Sequence, residues 1–210
     1  MEQIVATTVW DRIEEARSRC DVLEHPFYQR WTAGELSAAE LADYSGQYRH
    51  AVTAIATLTE QAAAELPDHP ELAAHAAEER SHIALWDGFG AAVGGDSAAA
   101  ANAETAGCVE VWTERDGALA ALGRLYAIES GQPQISETKL EGLAGHYGVE
   151  DAAGRRYFTV HRGRDLEHAA EGRALLEELI ETSADEDAVV AAAERAFAAN
   201  WRLLDGVDAG

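Results

Sequence analysis

Residues 37–65 read SAAELADYSGQYRHAVTAIATLTEQAAAE, and this segment alone predicts a long α-helix. Ser37 followed by Glu40 has the spacing of a capping box, which satisfies free backbone N–H groups at a helix N-terminus. Beyond the cap, apolar side chains recur every three or four residues, as on one face of a helix. The side chains predicted to face a core are Leu41, Tyr44, Tyr48, Val52, Ile55 and Leu58.

The same helical period extends outward over most of the chain. No segment shows the alternation of apolar and polar residues that is typical of a strand, so we predict no sheet. Gly94 and Gly95 are predicted to end one helix, and Gly131 with Pro133 to break another. The sequence therefore predicts an all-α fold, one bundle of about seven helices that forms a single domain over residues 1–210. The predicted helices are 9–20, 37–65, 70–93, 105–129, 136–146, 150–182 and 185–204.

The composition favours a soluble, cytoplasmic protein. Hydrophobic residues make up 47% of the 210 residues, enough for a substantial core, and the formal net charge is −22. So acidic a surface repels phosphate backbones and anionic lipids, which makes nucleic acid and membrane surfaces poor partners. Cys20 and Cys108 form no CxxC pair, which is consistent with a reducing compartment. No basic and apolar leader begins the chain, and no segment reaches the roughly 18 consecutive apolar residues of a membrane span.

A segment near the C-terminus carries the strongest chemical signal. Residues 157–176 read YFTVHRGRDLEHAAEGRALL, in which His161, Asp165 and His168 are spaced four and then three residues apart. At about 100° per residue, the three side chains fall within roughly 60° of one helix face. Two imidazoles and one carboxylate that converge in this way form a facial ligand set for a metal such as iron. A polar helix face with incidental histidines is the competing interpretation.

A second candidate segment offers a carboxylate and an imidazole one helical turn apart. Glu79 and His82 are three positions apart and Glu78 and His82 four, so either glutamate can share a face with the histidine. The Glu-x2-His spacing is the one that dinuclear carboxylate bundles use. His75, one turn before Glu79, is a lesser contender for the same face. A solvated Glu/His pair would also explain the pattern.

Glu129 is the third candidate carboxylate. It follows an apolar stretch near the end of a predicted helix, where an acid needs a cationic partner or exposure to water. An exposed residue at the helix end is the alternative interpretation. With Glu79 and Asp165 it would supply three negative charges, so two divalent ions would bring the site to about +1. A structural zinc site would more often recruit cysteine, and neither cysteine lies in these segments.

Several motifs together resemble a known family. Residues 25–36 read HPFYQRWTAGEL and are followed by YSGQY at residues 44–48. This opening is shared with thiaminase-II and pyrroloquinoline-quinone synthase relatives, and therefore indicates a fold rather than an activity. With the more specific motifs added, the chain resembles the haem-oxygenase-like dinuclear metal oxidases, and among them the CADD-type para-aminobenzoate synthases. Those motifs are HIALWDGF at 82–89, YAIES at 126–130, ISETKLEGL at 135–143, and His161-x3-Asp165-x2-His168.

The resemblance implies a cofactor and its ligands. Glu129 would bridge two metal ions, either two irons or one iron and one manganese, and the co-reactants would be dioxygen and an external reductant. One departure is that the Glu-x2-His interval is shorter than in CADD-type members and matches the fatty-acid decarboxylase branch, which leaves Glu78 and Glu79 as alternatives. By analogy with such relatives, a homodimer is also compatible with the sequence. The other implied ligands are His161, Asp165 and His168 for one ion, and His82 with Glu79 for the other.

The resemblance also implies three catalytic residues. Synthases of this type are understood to convert one of their own tyrosines into the product, and the matching positions here are Tyr28 and Tyr44. Lys139 is the one lysine among the 16 lysine and arginine residues, and it falls where that family has an essential lysine, an amino donor. Arginine could not replace it, because arginine does not deprotonate to become a nitrogen nucleophile. A coincidental surface lysine and ordinary core tyrosines are the competing interpretation.

Three other functions remain open at the level of sequence. A metal-dependent oxidase of the same type could act on a small external substrate, such as an amino acid or a fatty acid. A metal-free relative could be a thiaminase-II-like hydrolase, but its cysteine nucleophile is expected later in the helix than Cys108, or a cofactorless oxidase of the quinone-synthase type. A non-catalytic interaction protein would leave six candidate ligands unexplained. The sequence therefore favours an oxygen-activating oxidase with a dinuclear metal site.

Overall fold

A computed structural model describes residues 7–209 of the chain. Within that range the protein consists of eight α-helices and one short 3-10 helix (Val22–Glu24), with no strand, which confirms the predicted all-α class and the bundle of about seven helices. The helices are α1 (Val9–Arg19), α2 (Pro26–Ala33), α3 (Ala38–Glu65), α4 (Pro70–Val93), α5 (Ala103–Trp112), α6 (Ala118–Gly145), α7 (Ala152–Leu179) and α8 (Ser183–Asp208).

The helix ends lie where the sequence offers caps. The Ser37 hydroxyl accepts from the backbone N–H of Glu40, and the Glu40 carboxylate accepts from the backbone N–H of Ser37, so the predicted capping box is present. Capping boxes also begin α1 and α8. Gly94, at φ 76°, ends α4 in the left-handed region that favours glycine. The α3 side chains predicted to face the core are all buried: Leu41, Tyr44, Tyr48, Val52, Ile55 and Leu58.

The predicted helix break at Gly131 and Pro133 is wrong. Helix α6 continues through both residues without interruption. A proline inside a helix removes one backbone hydrogen bond and crowds the preceding turn. Packing outweighs that loss here, because the neighbouring side chains of Gln132 and Ser136 are buried in the interior. Tertiary contacts thus override the local preference of the sequence.

The actual break lies earlier, in residues 113–117. Gly117 has a φ of 102°, which favours glycine at this turn. Arg124 is completely buried and fixes the loop by donating to the Asp116 carboxylate at 2.5 and 2.9 Å. It also donates to the backbone carbonyl of Glu114 at 2.6 Å. Because a buried guanidinium requires such partners, the loop conformation depends on contacts that the local sequence does not reveal.

The packing of the helices forms two adjoining interior regions. Helix α7 packs against both α4 and α6, and this part of the interior is polar. Helix α2, which was not among the predicted helices, places Phe27 and Trp31 against Tyr44 of α3, with ring centroids 4.7 and 6.0 Å apart, so the second region is aromatic. No helix within residues 7–209 combines the length and apolarity that a bilayer span requires.

Candidate metal centre

Three helices bring all six predicted metal ligands into the polar interior region. Helix α4 carries two of them, α6 one and α7 three. Each of the six residues is at most 3% exposed, although carboxylates and imidazoles are rarely buried without a partner. The structure therefore places together residues that lie up to 89 positions apart (168 minus 79) in the sequence. They are Glu79, His82, Glu129, His161, Asp165 and His168.

His75, the lesser contender in the sequence, lies in the same cluster. Its Nε2 atom is 2.9 Å from Oε1 of Glu129 and 3.8 Å from Oε1 of Glu79. It precedes Glu79 by one turn and His82 by two, so the helical spacing was the signal that could have ranked it higher. We call these seven residues, the six predicted ligands and His75, the donor cluster.

The donor atoms fall into two overlapping groups. His75, Glu79, Glu129 and His168 offer one ligand atom each, all within 4.8 Å of one another. Glu79, His82 and His161 form a second group with the same property. Glu79 is common to both, whereas the resemblance to known oxidases assigned the bridging place to Glu129. Each group, with three or four donor atoms close together, could hold a metal ion.

The contacts of Glu79 agree with this shared place. Its Oε1 atom lies 3.0 Å from Nδ1 of His82 and 3.8 Å from Nδ1 of His168. Its Oε2 atom lies 4.0 Å from Nε2 of His161. Asp165 stands at the edge of the cluster, with Oδ1 3.8 Å from Nδ1 of His168. One glutamate side chain therefore touches the histidines of both donor groups.

Glu78 occupies a different place from Glu79. Its side chain is 29% exposed and accepts hydrogen bonds from Arg164 at 2.9 and 3.0 Å. It lies outside both donor groups, 3.5 Å from Nε2 of His168 and 3.9 Å from Nε2 of His82. Of the two glutamates that the sequence left open, Glu79 faces the donors and Glu78 lies behind two of the histidines. A carboxylate beside ligating histidines can orient their rings, and Glu78 lies close enough to His82 and His168 to do so if the site binds metal.

The cluster contains buried polar atoms that make no hydrogen bond. A buried polar atom without a partner is costly, and native proteins contain few of them. Nε2 of His75 and Oε1 of Glu129 lie 2.9 Å apart, but their orientation does not form a hydrogen bond. This donor set, oxygen and nitrogen without sulfur, fits iron or manganese. The unpartnered atoms are Nε2 of His75, Oε1 of Glu79, Nδ1 of His82, Oε1 of Glu129, Nε2 of His161, both carboxylate oxygens of Asp165 and both nitrogens of His168.

His161 shows how one ligand is oriented. Its Nδ1 atom lies 2.7 Å from the backbone carbonyl of Tyr157, and a carbonyl only accepts, so Nδ1 carries the proton. The lone pair of Nε2 is then free and faces the cluster. Tyr157 also stacks on the imidazole, with ring centroids 3.8 Å apart. Such outer contacts fix both the tautomer and the ring orientation of a ligating histidine.

Burial and mutual repulsion shift the pKa values of the cluster. Burial raises the pKa of Glu129 to about 7, and it raises the pKa of Asp165 well above its ordinary value. Burial also lowers the pKa of His161 and His168 to about 4. The imidazoles of His161 and His168 are therefore neutral at pH 7 and available as ligands, while the carboxyl groups of Glu129 and Asp165 would give up their protons to bind a cation.

The three predicted catalytic residues lie together in the aromatic region. Lys139 is only 2% exposed, and its Nζ donates to the hydroxyl of Tyr44. The same nitrogen lies 4.8 Å from the ring centroids of Tyr44 and Tyr48 and 5.5 Å from that of Tyr28. Lys139 with these three tyrosines is called the amine pocket below. The alternative of a surface lysine is wrong for this chain.

Burial determines the protonation state of the amine pocket. It lowers the pKa of Lys139 well below the ordinary value, and it raises the pKa of Tyr28 and Tyr44 well above theirs. Burial therefore favours the neutral form of the amine, and the phenols stay protonated at neutral pH. A neutral amine has the free electron pair that a nitrogen nucleophile requires.

Tyr157 and Trp86 connect the donor cluster to the amine pocket. Tyr157 stacks on His161, and its ring centroid is 4.9 Å from that of Trp86. The Trp86 ring in turn lies 5.4 Å from Nζ of Lys139. Tyr157 was not among the predicted site residues, although its position one turn before His161 was a usable signal. The two sites are thus separated by two aromatic side chains.

Comparisons with known proteins agree with this geometry. The model of a family described as iron-containing redox enzymes matches residues 71–201. A 4-aminobenzoate synthase of Nitrosomonas europaea is 32% identical over 209 residues, covering 89% of this chain and 85% of that protein. A domain of unknown function with a haem-oxygenase-like fold from Shewanella denitrificans superposes with a TM-score of 0.81, at 20% identity, over 99% of this chain and 94% of that one.

A solved CADD-like protein of unknown function from Nostoc punctiforme is similar as well. It superposes with a TM-score of 0.75 at 19% identity, and the match covers 95% of each chain. The matched family segment contains all seven residues of the donor cluster and Lys139. The fold is therefore the haem-oxygenase-like one that the sequence motifs predicted. The chain belongs to the family of iron-containing redox enzymes.

Proposed function

We propose that this protein is an oxygen-activating oxidase with a dinuclear iron, or iron and manganese, centre that forms 4-aminobenzoate from one of its own tyrosines. The observation that carries the proposal is the amine pocket. The only lysine of the chain is buried and in contact with Tyr44, two aromatic side chains away from a cluster of unpartnered metal donors. The Nitrosomonas relative named as a 4-aminobenzoate synthase supports it.

The donor cluster has the ligands that two divalent ions would need. His75, Glu79, Glu129 and His168 would hold one ion, and Glu79, His82 and His161 the other, with Asp165 at the edge. Two such ions would supply oxidising power when dioxygen and an external reductant are present. The protein keeps the imidazoles of His161 and His168 neutral and buries all seven side chains.

The chemistry of the product matches the contents of the amine pocket. Tyrosine already has the aromatic ring of 4-aminobenzoate and a carbon, its Cβ, at the position of the carboxyl group. Three changes remain: the Cβ must be oxidised and separated from the backbone, the ring oxygen must be replaced by nitrogen and leave as water, and the bond between that nitrogen and the Cε of the lysine must break. Lys139 is the side chain that brings a nitrogen to the tyrosines, since its amine donates to Tyr44 and lies over the ring of Tyr28.

Tyr28 and Tyr44 are both retained as candidates for the consumed residue. Tyr44 receives the hydrogen bond from Lys139, and its ring centroid is the nearer one to Nζ. Tyr28 is 2% exposed and lies 5.6 Å from Phe27, in the same aromatic wall. Either residue, once its ring is oxidised with the dioxygen and metal ions of the proposed centre, could therefore be attacked by the neutral form of the amine.

The metal-free hydrolase alternative has weaker support. A thiaminase-type reaction needs a cysteine that ionises readily. Burial instead raises the pKa of Cys108 to about 12, so this thiol stays protonated at neutral pH. Cys108 is 1% exposed and contributes no atom to either donor group.

Mass spectrometry of the protein after one turnover tests the proposal. Protein loaded with iron and manganese is given oxygen and a reductant, and both the small-molecule fraction and the peptides are analysed. We expect 4-aminobenzoate in the first, and in the second a changed mass in the peptide of Tyr28 or Tyr44. Tyr28→Phe and Tyr44→Phe variants identify the source, since replacement of the consumed residue abolishes the product.

An unchanged protein mass, together with oxidation of an added amino acid or fatty acid, would support the external-substrate alternative and reject self-consumption. The metal centre would survive that result. A protein that binds no metal under any loading condition would reject the oxidase itself.

A further inference from the structure

A pocket of about 410 Å³, including its open mouth, lies between α4, α6 and α7. Its floor is formed by His75, Glu129 and His168, three of the four donors in the larger donor group. Leu122 and Leu175 belong to its apolar wall. No residue of the amine pocket lines it. The pocket therefore reaches the donor cluster from the side away from the reactive tyrosines, and we call it the access pocket.

The mouth of the access pocket is acidic. Glu71 and Glu171 line the pocket and are both exposed to solvent, Glu71 with 54% of its side chain. Burial is the main cause of the raised pKa of Glu129, and the charges of Glu79 and Glu171 add to it, so Glu171 acts electrostatically on the floor. Carboxylates at the mouth of a cleft with low-dielectric walls raise the local concentration of cations.

The floor of the pocket presents the unpartnered donors. Nε2 of His75, Oε1 of Glu129 and both nitrogens of His168 make no hydrogen bond. His75 is 8% exposed, against 3% for Glu129 and 1% for His168, so it lies nearest to the solvent of the three. An ion that moves inward would meet the imidazole of His75 first.

We propose that the access pocket is the route by which divalent cations reach the donor cluster, and that His75 is the first buried ligand they meet. The inference rests on the dinuclear centre of the proposed function and adds the path by which that centre is filled. Glu71 and Glu171 attract the ion, and the floor donors remove its remaining water. Glu79, which belongs to both donor groups, would connect this entry side of the cluster to His82 and His161.

Two other sides of the cluster are covered by tight contacts. Arg164 is bonded to Glu78 at 2.9 Å beside the histidines of α4 and α7. Tyr157 stacks on His161 at 3.8 Å and separates the cluster from the aromatic region. An ion that entered on either side would have to break an ion pair or displace a buried ring, whereas the access pocket is already open.

A plug at Gly172 tests the route. Gly172 lines the access pocket, and a Cβ at this position would meet nothing within 4 Å, so leucine fits on the helix and projects into free space. Gly163 is the matched control, because it lies on the same helix, also has nothing within 4 Å of a Cβ, and faces about 180° away. Gly172→Leu and Gly163→Leu are therefore the same substitution on opposite faces of α7.

The measurement is the rate at which cobalt(II) enters the metal-free full-length protein, followed by the visible absorption of the bound ion. We expect Gly172→Leu to slow uptake at least about tenfold, while Gly163→Leu keeps the wild-type rate. All three proteins should bind the same final amount of cobalt, because no ligand has changed. Circular dichroism confirms that the variants are folded.

Charge variants test the mouth independently of the plug. Glu71→Gln and Glu171→Gln should each lower the uptake rate about two- to fivefold at low salt, and the difference should shrink as salt is added. Glu65→Gln removes the same charge from an exposed position outside the access pocket and should leave the rate unchanged. Loss of His75 in a His75→Ala variant should slow uptake more than either charge variant.

The outcomes separate the route from the proposed function. Wild-type uptake rates in Gly172→Leu, with full final loading, would overturn the route and leave the dinuclear centre in place. A wild-type protein that never binds cobalt, manganese or iron would reject both.

Discussion

The donor cluster and the amine pocket are both buried polar sites within one helical bundle, but their polar atoms are in opposite states. In the donor cluster, each of the seven side chains has at least one nitrogen or oxygen atom that lacks a hydrogen-bond partner. In the amine pocket, the buried nitrogen of Lys139 has a partner, the hydroxyl of Tyr44, and aromatic rings around it. Unpartnered donors are what the proposed cation site requires, and a buried amine with a partner is what the proposed reactant requires.

The largest expected effect is on metal loading. His161→Ala removes a ligand whose tautomer is fixed by the carbonyl of Tyr157, and Asp165→Ala removes a buried carboxylate of the same helix. We expect the content, measured by mass spectrometry of the metals, to fall from about two ions per chain to near zero. His146→Ala, at an exposed histidine, is the control. Full loading of His161→Ala would show that the cluster is not the metal site.

The second prediction separates the two sites. Lys139→Met replaces the buried amine by an apolar side chain of similar length, so it should abolish 4-aminobenzoate formation and leave the metal content at the wild-type level. The free energy of unfolding should change by less than about 1.5 kcal/mol, since the volume is conserved. Product formation by this variant, measured by chromatography, would exclude Lys139 as the nitrogen source.

A smaller effect, on metal affinity, is expected from a residue that lies beside the donor cluster without belonging to it. Arg164 holds Glu78 behind His82 and His168, and Arg164→Gln would release that carboxylate. We expect metal affinity to fall about 10- to 100-fold, as for other outer contacts of ligating histidines. Equilibrium titration with cobalt measures it, and Arg162→Gln, at an exposed arginine on the same helix, is the control. If the cobalt affinity and the spectrum of bound cobalt were unchanged, Arg164 would form only a surface ion pair with Glu78 and would not support the cluster.

The smallest effect concerns Cys108. Its thiol is buried and protonated at neutral pH, so Cys108→Ala should leave the yield of product unchanged. The lost sulfur leaves a small cavity that should cost about 1 kcal/mol of unfolding free energy. Chemical denaturation and a product assay measure the two quantities. Loss of all activity in this variant would revive the metal-free hydrolase.

The sequence predicted the elements whose causes are local. Capping residues such as Ser37 and the helical period placed the long helices, because a cap and an apolar face need only neighbouring residues. It failed at Pro133, where burial of the surrounding face keeps α6 continuous. The loop at 113–117 was missed for the same reason, since its buried partner Arg124 acts through tertiary contacts.

The site was predictable in its residues but not in its geometry. Their spacing from His82 along one helix made Glu78 and Glu79 equally plausible ligands. The contact of Glu78 with Arg164, 86 positions away, distinguishes the two. That His75 belongs to the cluster is likewise seen only from its contact with Glu129, which lies on another helix. The contact between Lys139 and Tyr44 spans 95 positions. Which carboxylate is shared, and which residue completes the cluster, follow from the packing of α4, α6 and α7.

Helix α6 carries both Glu129 and Lys139, ten residues apart and with Pro133 between them. The spacing of ligand and amine along this element is therefore set by the rise of one helix, about 15 Å over that length. A one-residue insertion between them would rotate Lys139 by about 100° and carry its nitrogen out of the aromatic enclosure. This short segment should thus be the part of the protein least able to change its length.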